Sequence, residues 1–159
     1  MSRADQSHSA PLECRQLTPD LRSPLADFFI ALNRSGDAEY FHPHPFTPEQ
    51  ATILTNYAGA DLYYVLIAGD TILGYGMLRG WDAGYEVPSL GIAIHPQYRG
   101  SGLGKLLMQF LHCAARWKGA TQIRLKVYPD NPRAIKLYQQ LGYAFGKMEH
   151  EQLVGIATL

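Results

Sequence analysis

The stretch Arg99–Lys105, RGSGLGK, combines residue types that can bind an anion. Its three glycines, Gly100, Gly102 and Gly104, follow an apolar run and precede a helical pattern. A glycine-rich turn between a strand and a helix exposes backbone N–H groups, and the helix N-terminus adds partial positive charge. The spacing fits neither the Walker loop, G-x-x-x-x-G-K-[ST], nor the dinucleotide fingerprint, G-x-G-x-x-G. The stretch therefore indicates either an anion site of another kind or a turn whose glycines only allow tight packing against the sheet.

A second motif favours the anion site. NPRAIKLYQQLGY, Asn131–Tyr143, follows the next apolar run and opens a second helical pattern. With Arg99-x-x-Gly102-x-Gly104 it resembles the GNAT superfamily of acyl-CoA-dependent N-acyltransferases, whose signature is R/Q-x-x-G-x-G/A. The two motifs lie within residues 87–145, a little over a third of the chain.

This resemblance implies acetyl-CoA as co-substrate, bound between two splayed strands. The pantetheine arm would pair with the backbone of the first strand as an added β-strand does, and the pyrophosphate would meet the N–H groups of the glycine-rich turn. A Cβ at Gly102 or Gly104 would block that approach. Asn131 would bind the cofactor arm as well as cap its helix, and capping alone is the alternative. The implied cofactor-binding residues are Ile92, Ala93, Ile94, Arg99, Gly100, Gly102, Gly104, Lys105, Asn131 and Tyr138.

The resemblance also assigns roles in catalysis. Tyr138 would protonate the departing thiolate, since a phenol with an ordinary pKa of ~10 is neutral at pH 7; the alternative is an ordinary core tyrosine. The attacking amine must lose a proton, to a base or to an ordered water. Glu86, just before the first motif's strand, is the first candidate base. Asp82 is a weaker candidate, and His42 and His44 are others because histidine titrates near neutrality. Each of these four can instead be an ordinary surface or turn residue.

The acceptor surface is expected in two aromatic and mixed-polar stretches, Tyr40–Phe46 and Arg79–Glu86. They could hold a small amine, an amino sugar or a peptide N-terminus, and the lack of an acidic or basic run favours a small molecule. With the resemblance, this implies an N-acetyltransferase that acts on a primary amine of a small molecule, by direct attack in a ternary complex. Two alternatives stay open: an acetyltransferase for protein or peptide N-termini or lysines, and a non-catalytic sensor that binds acyl-CoA. The predicted substrate-binding residues are His42, His44, Phe46, Trp81 and Tyr85.

The elements that must position these residues follow from hydrophobic periodicity. A first helix over residues 23–34 has Ser23 as its predicted N-cap and one apolar face. Residues 102–117 form the clearest helix, and Gly69-Asp70 is a suitable hairpin turn. The order β-α-α-β-β-β-α-β-α-β-β predicts an α/β (α+β) fold. We expect a single GNAT-like domain, with a mixed central sheet of six to seven strands, about four flanking helices and splayed strands at the acetyl-CoA site.

Composition limits the class of protein. The 159 residues hold 14 Lys+Arg and 14 Asp+Glu, so no basic excess indicates nucleic acid. No apolar run approaches the ~20 residues of a membrane span, and the two cysteines indicate a cytoplasmic protein. We expect residues 1–10 to be a flexible tail and residues 11–159 to be one N-acetyltransferase domain. The expected partner is a small-molecule amine, without nucleic acid, membrane or metal, and a homodimer is left open.

Overall fold

The protein is described by a computed structural model that covers residues 9–159. Over that range the chain forms one mixed sheet of seven strands, and the fold class predicted from the sequence is confirmed. All neighbouring strands are antiparallel except β4 and β5, which are parallel. The strands, in the spatial order β1-β2-β3-β4-β5-β7-β6, are β1 (Leu12–Gln16), β2 (Leu62–Ala68), β3 (Thr71–Arg79), β4 (Ser89–Ile94), β5 (Gln122–Val127), β6 (Ala144–Glu149) and β7 (Gln152–Thr158).

Four α-helices within residues 9–159 cover the two faces of this sheet. The helices are α1 (Arg22–Ser35), α2 (Pro48–Thr55), α3 (Leu103–Trp117) and α4 (Pro132–Gln140). One hydrophobic core lies beneath α1 and α2 and includes Phe28, Phe29 and Tyr75. A second core lies beneath α3 and α4 and includes Leu107 and Leu111. The two helix pairs therefore define two faces of the molecule, which we call the α1–α2 face and the α3–α4 face.

The parallel contact between β4 and β5 is short. In the described chain these strands pair at one position, Ser89 with Arg124, where the Arg124 N–H donates to the Pro88 carbonyl at 3.0 Å. Beyond that point β4 and β5 lie apart, as the predicted splay requires. We call the gap between them the seam.

Helix α3 lies across the seam on its own face. Its Leu107 and Leu111 share a core with Ile123 and Leu125 of β5, and the same two leucines contact β3 at glycines. A Cβ at Gly76 would lie 2.8 Å from Leu111 Cδ1, too close for a real contact. Glycine therefore lets α3 sit close to the sheet.

The start of α1 corrects one sequence prediction. Ser23 lies inside the helix, because a 3₁₀ turn over Pro19–Leu21 runs directly into it and Leu21 takes the N-cap position. Pro24 is tolerated there since N–H groups of the first turn have no intrahelical partner.

The turn between β2 and β3 lies where the sequence predicts it, because Gly69-Asp70 joins the two strands. The predicted tail over residues 1–10 lies, apart from its last two residues, outside the described part of the chain. No helix within residues 9–159 is long and apolar enough to cross a membrane.

Candidate active site

A cavity of about 770 Å³ opens into the seam. Its walls include Ile92, Ile94 and Tyr138, which pack with the core of the α3–α4 face. Its walls also include Phe41, which packs with the core of the α1–α2 face. The cavity is therefore lined by residues from both faces of the sheet.

The edge of β4 directs backbone groups toward this cavity. The N–H of His95 donates to Leu73 of β3 at 2.8 Å, so the backbone groups of alternate residues point toward β3. The intervening residues, Ile92 and Ile94, therefore direct their backbone groups toward the seam. The Ile94 carbonyl accepts a hydrogen bond from the Arg99 guanidinium at 3.3 Å on that side. An extended ligand with amide groups can pair with this edge as an added strand does.

The glycine-rich turn ends directly at α3. Gly100 and Gly102 have φ angles of +81° and +84°, a left-handed conformation that L-residues adopt at a cost. Gly102 is the N-cap residue of α3 and has no side chain to satisfy the first N–H groups of the helix. Those groups are left to bind an anion, with the helix dipole in their favour.

The reason for Gly104 differs from that for Gly102. A Cβ on Gly104 would lie 3.7 Å from Ile94 Cγ1, which is an ordinary contact, and a Cβ on Gly102 would meet no protein atom within 4 Å. The protein itself thus requires glycine at 102 for its backbone conformation. At 104 the requirement predicted from the sequence rests on the approach of a ligand alone.

The lining of the cavity is rich in cations. Among its described residues, Arg99, Lys105, Arg133 and Lys136 are cationic, and Asp130 is acidic. Such a surface suits a ligand with several phosphates. Arg133 and Lys136 were not predicted from the sequence, although their i, i+3 spacing in the predicted α4 placed both on one face of that helix.

Tyr138 lies in the wall formed by α4. Burial raises the pKa of its hydroxyl to about 12, so the phenol keeps its proton at neutral pH. Its ring packs against that of Tyr143 at a centroid distance of 6.0 Å. The Tyr143 hydroxyl is hydrogen-bonded to Nε2 of His112 at 2.7 Å. Tyr138 therefore combines a retained proton with a supported ring.

Asn131 lines the same cavity and caps α4. Its Oδ1 accepts a hydrogen bond from the Ala134 N–H at 3.3 Å, so the capping role is confirmed. All ten residues predicted to bind the cofactor line the cavity.

On the α1–α2 face, a group of aromatic side chains borders the seam. Tyr40 and Phe41 line the cavity. Tyr128, which follows β5, lies against the rings of Tyr40 and His42, and its hydroxyl is 3.4 Å from His42 Nε2. The sequence analysis missed Tyr128, since no local pattern links it to a loop 86 residues away.

Two residues predicted to bind substrate belong to the core. Phe46 is buried, and His44 is packed between Phe29 and Tyr75 with its Nε2 2.9 Å from the Tyr75 hydroxyl. Burial lowers the pKa of His44 and keeps the ring neutral. Neither residue lines the cavity.

The loop between β3 and β4 lies away from the cavity. The Asp61 carboxylate accepts hydrogen bonds from the backbone N–H groups of Gly80 and Trp81 at 3.0 and 2.9 Å. Lys118, just beyond the C-terminal end of α3, places its Nζ 4.2 Å from the centre of the Trp81 ring. Because α3 has 15 residues, that end is about 22 Å from the glycine-rich turn.

The remaining candidates of this loop are exposed. Tyr85 and Glu86 face solvent and do not line the cavity. Asp82 accepts hydrogen bonds from the Tyr57 hydroxyl and from the Ala60 N–H, and the Tyr57 hydroxyl is the largest cause of the lowered pKa of Asp82. The structure therefore does not bring Trp81, Tyr85, Glu86 or Asp82 together with Tyr138. Within residues 9–159 no group of three or more His, Cys, Asp or Glu side chains is placed to hold a metal ion.

Comparison with known proteins agrees with this geometry. A sequence model of the Acetyltransferase (GNAT) family matches residues 28–143. The chain is 30% identical over 108 residues to the thialysine N-epsilon-acetyltransferase of Bos taurus, which covers 59% of this chain and 63% of that protein. It is 27% identical over 141 residues to the spermine/spermidine N(1)-acetyltransferase of Bacillus subtilis, with 84% and 88% covered. The match thus spans less than two thirds of the length of the bovine relative.

A solved structure shows the same fold. The paia N-acetyltransferase from Thermoplasma acidophilum, solved in complex with coenzyme A, superposes with a TM-score of 0.73 at 16% identity. The superposition covers 94% of this chain and 99% of that one. At this identity the likeness concerns the fold alone.

Proposed function

This chain belongs to the GNAT family of acetyltransferases, and we propose that it transfers the acetyl group of acetyl-CoA to a primary amine of a small molecule. The observation that carries the proposal is the cavity at the seam, which has Tyr138 in its wall and is lined by residues that pack with the cores of both faces. The names of the two relatives support a small amine as acceptor, since one refers to thialysine and the other to spermine and spermidine.

The lining fits the chemistry of coenzyme A. The pyrophosphate would be held by the uncapped N–H groups after Gly102 and by the four cationic side chains of the lining. The amide-bearing arm would pair with the backbone groups of Ile92 and Ile94. Asn131, whose Oδ1 is engaged in capping, keeps its Nδ2 donors for the same ligand. When bound, acetyl-CoA supplies an acetyl group activated as a thioester.

Tyr138 holds the proton that the reaction needs on the thiol side. As the C–N bond forms and the C–S bond breaks, the amine gives up a proton and the thiolate gains one. The Tyr138 hydroxyl, with its pKa raised to about 12 by burial, remains a donor at neutral pH.

The proton of the amine leaves on the opposite face. Of the candidate bases, His42 follows the lining residue Phe41 directly and contacts Tyr128 at the rim of the seam. Glu86 lies outside the lining, so a transfer to it runs through water. We propose His42 or solvent as the first acceptor of this proton.

The experiment is a thiol-release assay with acetyl-CoA and a panel of small primary amines, combined with a thermal shift by acetyl-CoA alone. We expect both a raised Tm and thiol release with at least one amine. A raised Tm without release on the whole panel would favour an acyl-CoA sensor. An unchanged Tm at saturating acetyl-CoA would contradict the assignment of the co-substrate.

A further inference from the structure

We infer that the acceptor amine carries an anionic group, a carboxylate or a phosphate, and that a basic patch beside the seam recognises it. The inference rests on the proposed function, because it concerns the acceptor of that reaction. The basic patch consists of Arg124 and Lys126 of β5 and Lys147 and Glu149 of β6.

Three cations share one carboxylate in the patch. Glu149 Oε2 lies 2.7 Å from the Arg124 guanidinium and 3.3 Å from Lys126 Nζ, and Oε1 lies 3.2 Å from Lys147 Nζ. The patch therefore has an excess of two positive charges. The β7 side chains that pair with these residues, Gln152, Val154 and Ile156, carry no charge that could offset it.

The patch also has hydrogen-bond donors to spare. Arg124 Nε is buried and has no partner among the described residues. Buried donors in proteins are nearly always paired, so such a group calls for a ligand or a water. Each lysine ammonium has three donors, and Glu149 occupies one on each. An incoming oxyanion can take the rest.

The position of the patch links it to the acceptor. Ile123, Leu125 and Val127 of β5 are buried toward the α3–α4 face, so Arg124 and Lys126 project to the opposite, α1–α2 face. Arg124 pairs with Ser89, and Lys126 is therefore level with Gly91 across the open seam.

Phe41, a residue of the cavity wall, has its Cε2 3.0 Å from where a Cβ on Gly91 would be, next to the closer Met77 side chain. The backbone of Lys126 is thus close to the rim on the α1–α2 face, and its ammonium extends over β7 to Glu149, outside the cavity lining. The glycine-rich turn, in contrast, serves the α3–α4 face. The patch and the pyrophosphate site are consequently two separate anion sites on opposite sides of one seam.

The positive charge of the basic patch favours some small amines over others. A substrate with an amine and an anionic group can place the anion on the patch and the amine in the seam. A polyamine carries only positive charge and is repelled by the two uncompensated cations. The patch therefore favours an amino acid or an aminoalkyl phosphate over spermidine or a diamine.

The test uses matched pairs of acceptors with the enzyme and acetyl-CoA. L-Lysine and cadaverine differ by one carboxylate, and O-phosphoethanolamine and ethanolamine differ by one phosphate. We expect kcat/KM for one anionic member to exceed that of its partner by about tenfold, the order given by partly exposed ion pairs. The pair with the larger ratio identifies the anionic group.

Variants tie the preference to the patch. Lys126→Gln is expected to reduce the anionic preference about threefold to fivefold, and Lys126→Glu to abolish or reverse it, both through KM of the amine. Lys118→Gln removes an equal charge at the far end of α3 and serves as the control. The KM of acetyl-CoA is expected to stay unchanged in all three variants.

Three results would overturn the inference while the proposed function stands: equal use of both members in each pair, a preference that Lys126→Glu leaves intact, or acetylation of spermidine in preference to every anionic amine. If no amine of the panel, extended by these acceptors, gave thiol release, the proposed function would be overturned, and the inference with it.

Discussion

The two sides of the seam are built in different ways. On the α3–α4 face, the site comes from two continuous stretches, β4 with its glycine-rich turn and α3, and β5 with α4. On the α1–α2 face, it comes from the loop around Phe41, from Tyr128 and from the basic patch, which lie far apart in the chain. In the proposed function, local motifs would therefore hold the co-substrate, and long-range packing would shape the acceptor side. The same cofactor machinery can thus serve different amines as the second side changes.

The largest expected effect is on the α3–α4 face. Tyr138→Phe removes the proposed proton donor, and loss of a general acid lowers kcat by about 10²–10⁴-fold. The KM of both substrates is expected to change little, as steady-state kinetics will show. Tyr64→Phe, half-buried against Phe110 at a distance from the cavity, is the control. A fall in kcat of less than threefold in Tyr138→Phe would leave Tyr138 a core tyrosine.

The next largest expected effect is on the unfolding free energy, through the hydrogen bond between His112 and Tyr143, whose ring packs against Tyr138. His112→Leu leaves the buried Tyr143 hydroxyl without its partner, which costs about 1–3 kcal/mol of unfolding free energy. The double variant His112→Leu/Tyr143→Phe is expected to recover most of that loss, since both polar groups are then gone. Urea unfolding measures all three proteins. Equal destabilisation in the single and the double variant would contradict this account.

Comparison of substitutions at Gly102 and Gly119 separates the effect of backbone strain from the effect on cofactor binding. Gly102 and Gly119 lie near opposite ends of α3 with φ angles of +84° and +96°, and neither has a protein atom near its missing Cβ. Valine at either position costs roughly 1–2 kcal/mol in this conformation. Only Gly102→Val is expected to raise the Kd for acetyl-CoA, by about tenfold or more, in calorimetric titration. Similar affinities in the two variants would remove the special role of the glycine-rich turn.

The smallest expected effect is on the stability of the fold at acid pH, through Glu149 of the basic patch. The Arg124 guanidinium, followed by Lys147 and Lys126, lowers the pKa of Glu149 to about 2 from an ordinary value of 4.5. Its contribution to stability is thus fully present above pH 4.5 and is lost as the pH falls toward 2. We expect Glu149→Gln to flatten the stability curve between those two values, measured by thermal melting. An unchanged slope would mean that the ion pairs of the patch add nothing to the fold.

The sequence predicted most of the fold, and the ten residues it assigned to the cofactor line one cavity, because both depend on local chemistry. The helix expected over 102–117 is observed as Leu103–Trp117, and Asn131 caps α4 through its own side chain. Ser23 failed as an N-cap since a 3₁₀ turn before it already starts the helix. Local capping signals do not distinguish these two starts.

The acceptor side was predicted less well for a physical reason. His44 and Phe46 have polar and proline neighbours that are typical of a loop. Both nevertheless pack against the core residue Phe29, and His44 also packs against Tyr75. The Trp81 N–H donates to Asp61 and the Trp81 ring contacts Lys118, and Trp81 does not line the cavity. These outcomes depend on residues 14 or more positions away, which periodicity and spacing do not report.

The seam has a consequence for how the molecule holds together. One short point of pairing at Ser89 and Arg124 joins the ladder of β1–β4 to that of β5–β7–β6, and the rest of the connection is the core beneath α3. We therefore expect the two ladders to behave as separate cooperative units. If acetyl-CoA binds as proposed, its arm would pair with the edge of β4 and add a contact between the two ladders. Amide exchange in β5, β6 and β7 would then report occupancy of a site that those strands only border.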